Sequence, residues 1–188
     1  MITYWNPLPT ARRLVDTDDR DPFTGKWAER KPRNVPGPFY SASTDSLQTG
    51  RLDAPDHIAY DDDLGGGFGW EFVYRQPVNA AGTEAVVNAA RLELYSGYAC
   101  DGDDHWTVEA VRDWWRERGE IRAWAVDLAV QWEANAHPKY RGHYHDAAHG
   151  LREFIAFIDD GLDRYLRGYM FWLAEGCSPE AGRLTPDL

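Results

Sequence analysis

The chain has 188 residues, enough for one domain with a substantial core and short of what two ordinary domains need. Its 20 Lys and Arg stand against 31 Asp and Glu, a net charge of -11 that disfavours nonspecific attraction to DNA, RNA or anionic lipid and suits a basic protein partner or a cation. Cys100 and Cys177 lack CxxC spacing, so a disulfide framework, a thiolate zinc site and a four-thiolate iron–sulfur cluster are short of ligands.

The first 77 residues hold eight of the eleven prolines, and each removes a backbone donor and biases its predecessor towards extended geometry. Short strands rather than long helices are expected there, in PGPFYSAS (36–43), HIAYD (57–61) and WEFVYRQP (70–77). In the last, Trp70, Phe72 and Tyr74 alternate with Glu71, Val73 and Arg75, which predicts three aromatics on one face. DDDLGGGFG (61–69) reads as a hairpin connection, since clustered glycines permit positive φ. A phosphate cradle would need a helix after it, where a strand is expected. In DSLQTGR (45–51), Ser46 and Thr49 are polar turn residues without the surroundings of a nucleophile elbow.

From residue 78 the apolar residues take a helical period. Val86, Ala89, Ala90 and Leu94 share one side of a first helix that stops near Gly97. Thr107 is a plausible N-cap with Glu109 in the first turn, followed by Val108, Val111, Trp114 and Trp115, an interruption at Gly119, and a second amphipathic segment from Ile121 to Trp132. A stripe from Leu151 through Phe154, Ile158, Leu162 and Leu166 to Leu173 keeps phase across Asp160–Gly161 and predicts one long helix. The whole is expected to be a single α+β domain, in which three or four helices from 78–188 cover a small antiparallel sheet from the Pro-rich, strand-bearing 1–77.

Four of the six histidines fall within HPKYRGHYHDAAHG (137–150). His145 and His149 stand in the i, i+4 relation that lets two imidazoles reach one metal, and His143 could fold back as a third ligand, with Asp146 or Glu153 as carboxylate. Against this, both fall on the face opposite the Leu151 stripe, and a solvated helix start accounts for most of these residues. In CDGDDHWTVE (100–109) the acidic spacing fails the EF-hand pattern, and Asp103 or Asp104 beside a helix start reads as capping chemistry.

PGPFYSASTDSLQTGRLDAPDHIAYDDD, EFVYRQP and GYACDGDDHWTVEAVRDWW resemble a group of uncharacterised bacterial proteins, some of which carry the label ferredoxin. The resemblance covers most of the chain and implies a bacterial source, and it brings no catalytic residues with it.

With no apolar stretch of signal-peptide length and no run of about 18 apolar residues, the expectation is a cytoplasmic protein without a membrane segment. The functional expectation is a non-catalytic acidic binding protein, an immunity-type or adaptor partner of a basic protein, meeting it through Asp61, Asp62 and Asp63 or Asp101, Asp103 and Asp104. No cofactor is expected. The alternative is a metal-dependent hydrolase in which His143, His145 and His149 hold a divalent ion.

Overall fold

The computed structural model describes residues 4–16, 18–62, 69–135, 137–180 and 183–188. They form an α+β arrangement: α1 (Leu8–Val15), β1 (Tyr40–Ser41), α2 (Gly50–Asp53), β2 (Ile58–Tyr60), β3 (Glu71–Val73), α3 (Ala80–Leu92), β4 (Tyr98–Ala99), α4 (Val108–Glu133), α5 (Arg141–Asp159) and α6 (Leu162–Glu175). β2 and β3 pair antiparallel with Tyr60 opposite Glu71. β1 pairs antiparallel with β4, Tyr40 opposite Ala99. The glycine-rich 63–68 lies outside the described residues, and so does its expected hairpin turn. Among the described residues no helix is long and apolar enough to cross a membrane.

β3 is buried on both faces, and Phe72 and Tyr74 share the one that meets the Phe154 ring. Glu71, Phe72, Val73 and Tyr74 are all buried, because α5 covers one side, with Phe154 against Phe72 at 5.4 Å, and the 44–50 loop covers the other. Glu71 therefore points into protein rather than solvent.

The helical half is capped much as its sequence implies. Thr107 Oγ1 accepts from the Ala110 N–H at 3.1 Å, and Asn79 Oδ1 accepts from Gly82 at 2.8 Å, so each helix start has one of its orphan donors satisfied. α4 runs unbroken for 26 residues through Gly119. One exposed glycine costs a helix about 1 kcal/mol relative to alanine, less than the burial of Val111, Trp114, Leu128 and Trp132 on its inner side returns. α3 ends at Leu92 with Glu93 extended, which turns Leu94 out into solvent rather than onto the helix's inner side.

The C-terminal stripe corrects the expectation of one long helix. Asp160 is extended and Gly161 takes φ 120, a conformation that L side chains rarely adopt, so the chain breaks into α5 and α6. The apolar phase survives the break: Phe154, Ile158, Leu162 and Leu166 are all buried, as the periodicity requires.

Candidate functional site

The segment 44–51, which follows β1 and runs into α2, carries the buried polar residues Thr44, Asp45, Gln48 and Arg51 and meets two more, Glu71 and Glu93. Asp45 and Glu93 form its first node. The Asp45 carboxylate accepts from the N–H groups of Leu47 at 2.7 Å and Leu94 at 2.9 Å. Glu93 accepts from Asp45 N–H at 2.6 Å, Tyr95 N–H at 3.1 Å and Gly97 N–H at 2.6 Å. Both acids are buried and take aligned backbone donors, with no cation in direct contact among the described residues. Arg20 ties the same turn from outside, donating to the Leu94 carbonyl at 2.8 Å and to Ser96.

What this clamp holds outwards is apolar. Of nine exposed large hydrophobic side chains among the described residues, four sit on it: Leu47 at 58%, Leu92 at 47%, Leu94 at 58% and Tyr95 at 69% exposure. Leu47 and Leu94 are neighbours in space because their amides share one carboxylate.

Glu71 is the second node. Its carboxylate accepts from Gly50 N–H at 2.7 Å and from the Tyr98 hydroxyl, and burial pushes its pKa up to about 7 against the lowering effect of those bonds. Gly50 is required: a β-carbon there would strike the Glu71 carboxylate and come within 2.9 Å of the Tyr98 hydroxyl. Gln48, at φ 57, turns its side chain onto His143, whose ring stacks on Tyr60 at 6.1 Å between centroids. Burial lowers the His143 pKa, with Asp146 opposing it.

Arg51 is the third node. Its guanidinium is almost wholly enclosed and meets Asp146 twice, at 3.1 and 3.2 Å, Glu153 at 3.6 Å, and the carbonyls of Pro55 at 2.8 Å and Ile58 at 2.9 Å. Gly150 of α5 lets it approach, since a β-carbon there would lie 2.5 Å from Nη1.

The histidines of the 137–150 segment go separate ways. His143 turns inward to Gln48 and Tyr60, His145 is exposed, and His149 is exposed with Nε2 3.7 Å from Glu153. Among the described residues no group of three or more His, Cys, Asp or Glu side chains is placed to hold a metal ion.

The acidic runs divide. Asp61 is fully buried, with Oδ1 accepting from Trp70 N–H at 2.9 Å and Oδ2 3.6 Å from Arg33, so it is not displayed as a loop carboxylate. Asp62 accepts from Trp124 Nε1 at 3.3 Å, and Asp63 lies outside the described residues. Asp103 does not cap a helix; it accepts from the Tyr169 hydroxyl at 2.9 Å and Trp172 Nε1 at 3.2 Å, locking α6 to the loop before α4. Asp101, 3.3 Å from His105, and Asp104 are exposed.

Sequence reading missed Asp45, Arg51, Glu71 and Glu93. The available signal was the density of Ser, Thr, Asp and Gly in 41–50, residues that bond neighbouring backbone and shape tight loops. No family model, curated protein or solved structure matches this chain.

Proposed function

We propose that this chain is a non-catalytic binding protein, an adaptor or immunity-type partner of a basic protein, and that the turn carrying Leu47, Leu92, Leu94 and Tyr95 is its docking face. The observation that supports this most is that two buried carboxylates hold the backbone from which these exposed apolar side chains project. A face already held in one backbone conformation loses little freedom on binding. Covering a leucine or tyrosine of this kind contributes about 1.5–3 kcal/mol. The net charge of -11 supplies long-range attraction to a basic partner, and Asp101 and Asp104 remain available at the surface.

The test is capture from the native host at low salt with the parent chain and with a Leu94→Ser, Tyr95→Ser double variant. The parent should recover a basic protein at stoichiometric yield, and the variant should lose it while melting at the parent's temperature. Equal recovery by both would move the docking face elsewhere. Turnover of a small molecule by the isolated chain, with no partner recovered, would overturn the binding-protein reading.

A further inference from the structure

A cavity of about 380 Å³ lies away from that turn, where the α2–β2 connection meets the start of α3. Its polar wall contains Asp53, Asp56, His57, Arg75, Asn79 and Gly82. His57 is the most informative. It is more than nine-tenths buried, and its Nδ1 lies 2.9 Å from the Arg75 carbonyl oxygen, which can only accept. Nδ1 therefore carries the proton, and Nε2 is a bare acceptor. Burial lowers the His57 pKa and keeps the ring neutral. Nε2 faces Gly82, where a β-carbon would sit 2.7 Å away, and it has no hydrogen-bond partner among the described residues.

Two positive features border the same space. Asn79 Oδ1 takes the Gly82 N–H, and the first two amides of α3 remain as donors at the positive end of a 13-residue helix. The Arg75 guanidinium lies over the Phe157 ring, 4.8 Å from its centroid, and makes no ion pair among the described residues. Asp53 and Asp56 give the opposite sign at the same cavity, and Val78, Ala81 and Ala85 line it with carbon. A bare anion would meet the two carboxylates, and a bare amine would meet Arg75 and the helix end. A volume near the lower limit of ligand sites calls for a small molecule.

We propose that this cavity binds a small aliphatic α-amino acid, with its carboxylate on the α3 amides and Arg75, its ammonium donating to His57 Nε2 beside Asp53 and Asp56, and its side chain on Val78, Ala81 and Ala85. The site is separate from the docking face and does not depend on it.

Calorimetric titration of the full chain with valine, isovalerate and isobutylamine tests this, since the last two each lack one charge of the first. Valine should bind saturably with millimolar or tighter affinity, and each analogue at least about tenfold more weakly. Valine should also shift the ¹⁵N resonance of His57 Nε2 more than that of Nδ1. Gly82→Ala should abolish binding by placing a methyl group against Nε2, and the exposed Asp56→Asn should weaken it without altering the melting temperature. Isovalerate binding as tightly as valine would make this an anion site and overturn the assignment. Isobutylamine binding as tightly, no saturation by valine, or valine binding unchanged in both variants would also overturn it.

Discussion

Asp45 donates its backbone N–H to Glu93 Oε1 at 2.6 Å, and its own carboxylate accepts from Leu94, the residue that follows Glu93. Each acid holds the other's loop, so the two turns are one mechanical unit although 48 residues separate them. Replacing Glu93 by Ala strands three backbone donors, those of Asp45, Tyr95 and Gly97. The expected loss is about 3 kcal/mol, measured by urea denaturation. A loss below about 1 kcal/mol would mean that water replaces the carboxylate and that the clamp is not rigid.

Glu71 should give stability a pH dependence of unusual sign for a carboxylate. Its pKa rises from 4.5 to about 7 on folding, so the folded state favours the protonated form. Its contribution is fully present below pH 4.5 and is lost as pH rises towards 7. His57 and His143 have lowered pKa values and act the opposite way, their contribution being present above pH 6.5 and lost as pH falls below it. Glu71→Gln should remove the first trend and leave the second, so that its stability no longer declines between pH 5 and 7. Parallel pH profiles for parent and variant would show that Glu71 is already charged in the fold.

Asp146→Ala should destabilise the chain by about 2 kcal/mol, less than a fully buried pair would lose, because Asp146 is half exposed and Glu153 remains 3.6 Å from Arg51. Asp146→Asn, which keeps one acceptor, should lose less. Equal effects of the two variants in thermal denaturation would show that packing, not charge, is what Arg51 requires there.

At the corner between α5 and α6, Gly161→Ala forces a β-carbon into φ 120, with the Phe157 ring 3.3 Å away. A loss of about 1–3 kcal/mol is expected. Leu162→Ala, one residue on and fully buried, should lose about 2–5 kcal/mol. An unchanged melting temperature for Gly161→Ala would mean that α5 and α6 tolerate a continuous path.

How far the fold was legible varied with the kind of signal. Helical phase placed Phe154, Ile158, Leu162 and Leu166 on one buried side, and the Thr107 cap followed from local chemistry, because both depend on residues within a turn or two of each other. The α5–α6 break was visible as Asp160–Gly161 but outweighed by a stripe that stays in phase on both sides of a corner. Asp61 read as outward because a charged residue is usually solvated, and nothing nearby in the sequence singled out Glu71 as buried. Their partners, Gly50 and Tyr98 for one and Trp70 and Arg33 for the other, lie 9 to 28 positions away and leave no local trace. The exposed turn around Leu94 had no periodicity to betray it, since Leu94 belongs to the helical pattern of α3 until the chain turns at Glu93.

The reach of Arg51 has a consequence for the order of events during synthesis. Its carbonyl partners, Pro55 and Ile58, emerge from the ribosome within a few residues of it, but Asp146 follows 95 positions later. A nascent chain that has delivered β2 and β3 without α5 holds a guanidinium with local acceptors and no counter-charge, and Phe72 and Tyr74 without the Phe154 ring that covers them. Neither the polar nor the apolar face of that half can close alone. The first 77 residues should therefore stay open until α5 arrives, and the chain should condense late and as a whole.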